Sequence, residues 1–234
     1  MLDDIQRFGP DMVVVDSSFP SLANDVSVAG KVKKTCPAAT IVFVGPPTSQ
    51  FSQELLGNHG IDVVVQGEPD LTIRDIARAL SDKRGLGQIQ GIAHKNNGQL
   101  VWNPERSSST TEELDSIPFV SKVYKKHLRI KDYYLGSSLY PEVQIFAGRG
   151  CPFQCTFCSW PQTLTGRRYR TRSIPNVLEE LAWIQGNLPE VKDVFFEDDT
   201  FTIDQNRVLE FCSEYKKRDL RIAWSCNARA TLDY

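Results

Sequence analysis

Three cysteines fall within eight positions of this 234-residue chain: Cys151, Cys155 and Cys158 in "AGRGCPFQCTFCSW" (147–160). Thiolates are soft, strong metal ligands, so three on one loop suit a metal centre. Structural zinc usually takes four ligands in two pairs. No second pair stands at suitable spacing here: His127 is the nearest histidine, and Cys212 and Cys226 lie on a predicted helix and a predicted strand end. Zinc is therefore the weaker reading. Cysteine thiolates also hold iron–sulfur clusters. Three of them on a four-iron cubane leave one iron open to an outside chelating group, and the amine and carboxylate of an amino acid fit it. The spacing suits an enzyme whose cluster binds its substrate. It leaves open a regulatory or scaffold protein in which zinc or a structural cluster does no chemistry.

The elements around the loop must bring it to an active rim. "EVQIFAGRGC" reads as a strand running into the cysteines. A helix capped by Ser173 follows, with Ile174, Val177, Leu178, Leu181 and Ile184 on one face. Then come the strand "VKDVFF" (191–196), a helix from about Asp204 with Val208, Phe211, Cys212 and Tyr215 inward, and the strand "RIAWSC" (221–226). The polar motifs "CPFQCTFC", "EDDT" and "SCNAR" each follow a strand, so all three gather at the carboxyl-end rim where β/α barrels keep their active sites.

The first 80 residues show the same alternation. "MVVVDSSF" (12–19), "TIVFVGPP" (40–47) and "DVVVQGEP" (62–69) are β-branched runs, and Leu22, Val26, Ala29 and Val32 recur between them at helical spacing, as does the pattern of "TIRDIARAL". This βαβα order predicts a parallel, doubly wound sheet whose ligand would lie at the strand ends, by "DSS", "GPP" and "QGE". Gly45 and Gly67 there serve equally well as plain turn residues. "QIQGIAHKNNGQLVWN" (88–103) reads as a hairpin about Asn97-Gly98, and the Ser/Thr-rich "PERSSSTTEELDSIPF" as a linker. The expected organisation is a first domain over 1–85, hairpin and linker over 86–140, and the first β/α units of a TIM-type barrel over 141–234.

Composition narrows the setting. With 41% hydrophobic residues and a net charge of −2, the chain is expected to be globular, with no large nucleic-acid footprint. No apolar run approaches the roughly 20 residues of a membrane span, and Asp3 and Asp4 do not read as a secretory leader. The expected setting is cytoplasmic, where six cysteines are thiols, ligands or core fillers rather than disulfides. Arg167 and Arg168 are expected in a solvated loop, and His59, His94 and His127 as surface or packing residues.

Cys151-x3-Cys155-x2-Cys158, with Phe157 before the last cysteine, resembles the signature of the radical S-adenosylmethionine (SAM) enzymes. The parallel first domain, with "GE" after its third strand, is similar to the cobalamin-binding domain that precedes the barrel in one branch of that superfamily. The resemblance implies a [4Fe-4S] cluster on the three cysteines, reductive cleavage of SAM to a 5′-deoxyadenosyl radical, and methylation, cyclisation or rearrangement of an unactivated carbon. It assigns Phe157, Glu197, Asp198, Ser225 and Arg229 to SAM, with Arg229 paired to the carboxylate and the two acids to the amine or ribose. It assigns Ser17, Ser18, Gly45, Pro46, Gly67 and Glu68 to cobalamin. "FEDDTF" stands where many relatives carry Gly-Gly-Glu, as in the cobalamin branch.

Trp160-Pro161-Gln162 and "RYRTRS" (168–173) are similar to a narrower group, the radical SAM proteins of bacterial hopanoid synthesis. That implies a small-molecule or lipid substrate, contact with a membrane surface, and an electron donor such as flavodoxin or ferredoxin. A tRNA-modifying relative would carry further cluster cysteines in the first domain, which has only Cys36. Against the family pattern, the sequence is expected to open within the helix before a third strand and to end three strands into the barrel, so a fragment is expected, with "RIAWSC" as an unpaired edge.

Overall fold

The computed structural model describes residues 1–230; the last four residues of the expected barrel segment lie outside the described residues. The chain divides into two compact units, Met1–Ser108 with Gln154–Gly166, and Ser109–Phe153 with Arg167–Tyr234.

The first unit runs α1 (Leu2–Phe8), β1 (Met12–Asp16), α2 (Leu22–Thr35), β2 (Thr40–Val44), α3 (Ser52–Gly57), β3 (Val63–Val65), α4 (Asp70–Ser81), β4 (Ile92–Asn96) and β5 (Gln99–Trp102). Its five strands form one sheet in the order β1-β2-β3-β4-β5. The first three are parallel, with Val14 beside Val42 and Val42 beside Val63. Both faces of the sheet are covered. Ile41, Phe43 and Val64 pack with Ala29, Val32, Leu55 and Leu56, while Val42, Val44, Val63 and Val65 pack with Ile76 and Ala79. Burial on two faces is why these strands read as continuous apolar runs rather than alternating ones.

The hairpin belongs to this unit and not to the linker. β4 runs antiparallel to β3, with Val63 beside His94, and β5 to β4. Asn97 and Gly98 both take positive φ, 50° and 81°, the pairing a two-residue type I′ turn requires. Beyond the hairpin, Arg106 pairs with Asp75 on α4. The sequence pattern finds the hairpin but cannot assign its partner, because strand pairing between β3 and β4 is not a local property. His94 is accordingly a buried packing residue, whereas His59 and His127 are exposed.

The second unit runs α5 (Thr111–Asp115), α6 (Val120–His127), β6 (Glu142–Ile145), β7 (Gly148–Arg149), β8 (Arg170–Thr171), α7 (Ile174–Asn187), β9 (Asp193–Phe196), α8 (Gln205–Lys217) and β10 (Ala223–Cys226). Three strands form a parallel sheet in the order β10-β9-β6. Among the described residues there is no closed barrel, and β6 and β10 are the sheet's edges. The helix starts match the sequence: Ser173 accepts from the Asn176 N–H, and Asp204 from the Arg207 N–H. Each such cap contributes about 1 kcal/mol. Ile174, Val177, Leu178, Leu181 and Ile184 are all buried against Val143, Ile145, Val194 and Phe196. Phe196, Phe201, Phe211 and Trp224 close the core, Phe196 and Phe201 stacking at 4.7 Å.

Candidate functional site

At the carboxyl ends of β1 to β3 the chain is shaped by close backbone approach. Gly45 has φ +101°, and a Cβ there would lie 2.2 Å from the Ser17 carbonyl oxygen and 2.7 Å from Asp16 Oδ1. No other residue fits. Gly67 also has positive φ, +74°, yet its nearest neighbour to such a Cβ is 3.8 Å away, so it serves the turn rather than a close contact. Ser17 is buried, and its hydroxyl donates to Asp25 Oδ2 at 2.7 Å, as does that of Ser21 at 2.6 Å. Ser18 is exposed and reaches Ser21. Thr48, behind Pro46, donates to the Gly45 carbonyl at 2.8 Å. Burial, and then the charge of Asp25, raise the pKa of Asp16. Glu68 is half-buried.

The cysteine loop is clipped at its base. β7 and β8 pair antiparallel, Gly148 beside Thr171 and Arg149 beside Arg170, which holds the two ends of the segment 150–169 together. Arg172 anchors the clip: its Nη1 donates to Glu180 Oε2 at 2.6 Å and to the Phe146 carbonyl, and its N–H to the Ala147 carbonyl. Glu180 is fully buried and also receives the Ser121 hydroxyl and N–H. Breaking such a buried pair costs about 3–5 kcal/mol. None of this was legible in "RYRTRS", where Arg170 and Arg172 carry the same local context as the exposed Arg167 and Arg168.

Within the segment, Cys151 belongs to the second unit and Cys155 and Cys158 to the first. All three are half-buried thiols outside any disulfide, and the Cys158 N–H donates to the Cys155 carbonyl at 3.1 Å. Among the described residues no three His, Cys, Asp or Glu side chains stand together as a metal-holding group. The donor set itself fits an iron–sulfur cluster, since three thiols outside any disulfide are offered on eight residues. Cys226 differs: burial, then Asp198, push its thiol up to about 11. Cys226 and Cys212 pack against the second core and Cys36 against the first, as expected of filler cysteines.

The two acids after β9 point to different surroundings. Glu197 is exposed, and its N–H donates to the Ile145 carbonyl. Asp198 is turned inward, 1% exposed, with Oδ1 accepting from the Ala147 N–H at 2.7 Å. A Cβ at Gly148 would meet both its Oδ2 and the Tyr169 ring. Burial lifts Asp198 to about 7 against the partial opposition of the Ala147 and Gly148 amides, and burial beside Asp198 lifts Tyr169 to about 12. Asp198 thus braces the strand that leads to Cys151 instead of presenting a free carboxylate. The run "EDDT" alone does not separate its acids; burial does.

Ser225 is likewise engaged, donating to Asp193 Oδ2 at 2.9 Å. Arg229 lies over the Phe153 ring at 3.8 Å from its centroid. Arg229 and Phe153 border a polar cleft of about 450 Å³ lined by Thr200, Thr202, Asp204 and Asn206; Ser225 is not part of its lining. Asn227, which the sequence did not single out, ties the rim: it donates to the Asp198 carbonyl and accepts from the Phe201 N–H. Phe157 is 91% exposed.

Residues 145–233 match the family model described as the radical SAM superfamily. An uncharacterized methyltransferase of Pyrococcus horikoshii is 32% identical over 96% of this chain and 47% of its own length. The hopanoid C-3 methylase of Methylococcus capsulatus is 24% identical over 94% of this chain and 40% of its own. The chain thus spans about half, or less, of the curated relatives it matches. Among solved structures, the radical SAM methyltransferase TsrM from Kitasatospora setae, with cobalamin and a [4Fe-4S] cluster bound, matches with a TM-score of 0.68. It covers 93% of this chain and 42% of TsrM at 17% identity, a likeness that speaks for the fold. The match spans the cysteine loop, β9 and β10, and this part of the chain is a radical SAM domain.

Proposed function

We propose that this chain is the cofactor-binding part of a cobalamin-dependent radical SAM enzyme that methylates an unactivated carbon. The observation that carries the reading is the Cys151, Cys155, Cys158 triad inside the matched domain, on a loop that leaves the carboxyl end of a parallel strand. When bound, the cluster supplies an electron to SAM, and cobalamin a carrier for the methyl group. The chain's own part is binding, orientation and exclusion of side reactions. Cys151, Cys155 and Cys158 would be the protein ligands of the cluster, whose remaining coordination would be open to the amino-acid group of SAM. Arg229, beside the polar cleft, supplies a guanidinium for the SAM carboxylate. Glu197 is the exposed acid available to its amine or ribose, and Phe157 an exposed ring able to stack. Asp198 and Ser225 act through the backbone and through Asp193 rather than by open contact. In the first unit, the Ser17–Ser18, Gly45–Pro46 and Gly67–Glu68 loops line the cobalamin rim.

The P. horikoshii relative and TsrM, both described as methyltransferases, support methyl transfer over cyclisation or rearrangement. A hopanoid side chain as substrate is the finer reading, supported by Trp160-Pro161-Gln162 and the C-3 methylase relative. The reductant is a low-potential carrier such as flavodoxin or ferredoxin. Anaerobic reconstitution with iron and sulfide tests the whole. A four-iron spectrum that changes on adding SAM, with SAM consumed under reduction, is the expected result; stoichiometric zinc and no cluster would sink it. Added cobalamin should be retained, and a chain that takes up none refutes that half alone.

A further inference from the structure

The exposed run 122–140 differs in charge from the remainder of the chain. Lys122, Lys125, Lys126, Arg129 and Lys131 are all exposed, and Asp132 is the single acid among them. The run carries +4 in a chain of net −2, which leaves −6 on everything else. Among the described residues only Arg129 of the five has an acid partner, Asp132 at 3.6 Å. Lys122 and Lys125 instead lie over the rings of Phe119 and Trp183. Four exposed cations within ten residues and without an acid partner favour an anionic partner outside the chain.

The same run exposes apolar surface. Tyr134 is 74% exposed, Leu139 59%, Tyr133 52% and Tyr140 41%. Beside them opens a mostly apolar cavity of about 180 Å³, lined by Tyr124, Leu128, Ile130, Tyr133 and Val143, with Glu142 and Gln144 as its polar members. An apolar cavity of roughly 150 Å³ is enough for a benzene-sized molecule. An acidic protein would answer the cations alone. Tyrosines and leucines interleaved with lysines suit the headgroup layer of a bilayer, where ring and aliphatic bodies face hydrocarbon and polar tips face water.

We propose that the 122–140 surface docks on an anionic lipid bilayer, its lysines at the phosphates, Tyr134 and Leu139 at the acyl boundary, and the cavity taking the end of an acyl chain. This inference is independent of the SAM chemistry, because its readout is membrane binding. The test is sedimentation of the purified chain with vesicles of phosphatidylcholine, with and without phosphatidylglycerol. Binding to the anionic vesicles alone is expected, falling about tenfold or more between low and high salt. The combined variant Lys122→Glu, Lys126→Glu, Lys131→Glu should weaken it on the order of 100-fold, since each basic residue near an anionic surface contributes about fivefold. Tyr134→Ser with Leu139→Ser should cost about tenfold and leave the salt dependence unchanged. All five positions are exposed, so melting curves should match the parent; if the triple variant melts early, the single reversals carry the test. Equal binding to both vesicle types, no binding to either, or undiminished binding by the variants overturns the proposal. So does capture of an acidic carrier such as flavodoxin without vesicle binding, which would give this face to a protein.

Discussion

The rim after β1 to β3 and the clip beneath the cysteine loop are both built at strand ends, yet different forces hold them. In the first, atoms of the backbone itself fill the space: Gly45 lies where any side chain would collide with Ser17, and short hydroxyl bonds to Asp25 fix the neighbouring loop. In the second, a two-residue ladder is held by inward polar side chains, with the Arg172–Glu180 ion pair on one side and Asp198, accepting from the Ala147 N–H, on the other. The difference suits what each is proposed to hold. A flat organic cofactor needs a surface pared back to backbone, whereas a cluster needs side-chain ligands on a loop free to wrap it, so rigidity is confined to the loop's base. A sterically built rim should fail chiefly by bulk; one built on buried polar side chains should tolerate isosteric change and respond more strongly to pH.

The largest expected effect is at the ligands. Cys151→Ala, Cys155→Ala or Cys158→Ala should each reduce cluster iron to below about a tenth of the parent and abolish SAM cleavage, because the remaining thiolates cannot protect a cubane. Cys36→Ala, Cys212→Ala and Cys226→Ala should keep both. Iron and sulfide assays decide, and unchanged iron in the Cys155 variant refutes the assignment.

Next comes bulk at the first rim. Gly45→Trp adds strain at positive φ to a backbone collision, so a loss of at least about 3 kcal/mol in that unit is expected. It should remove cobalamin retention while leaving cluster iron intact. Equal retention by the variant, measured by visible absorption after desalting, breaks the contrast between the two regions.

The pH contrast is of comparable size but conditional. Burial lifts the Asp198 carboxyl to about 7 in the folded chain, against an ordinary value of 3.8. The folded state therefore keeps a proton that the unfolded state has released. The associated stability is complete below about pH 4, declines as pH rises to about 7, and is then level, a change on the order of 4 kcal/mol. Asp198→Asn keeps an oxygen for the Ala147 N–H and should flatten this slope, as urea unfolding at several pH values will read. An unchanged slope would show that the brace is not electrostatic.

The smallest effect sharpens the first rim. Ser21→Ala removes one of the two serine hydrogen bonds to the half-buried Asp25, with the exposed contacts to Ser18, and should cost about 1 kcal/mol. Thermal melting that falls by far more would mean that the hydroxyl network, and not the glycine contact, sets the loop.

What could be read from the sequence is local in origin. The cysteine spacing, the caps at Ser173 and Asp204, the buried face from Ile174 to Ile184 and the Asn97-Gly98 turn each depend on neighbours within a few residues, and side-chain periodicity and turn chemistry carry that information directly. What only the tertiary structure decided is long-range. The hairpin joins the first sheet because β3 offers β4 an edge 27 or more residues away in sequence. Arg172 is drawn in to half-burial while Arg168 stays exposed, because Glu180 and Ser121 come together from two helices. Asp198 turns in and Glu197 out because successive residues leaving a strand face opposite sides, and which side holds the Ala147 amide is fixed by how β6 pairs with β9. A chain's spacing names the groups that can do chemistry; burial and pairing between distant segments choose which of them are left open to do it.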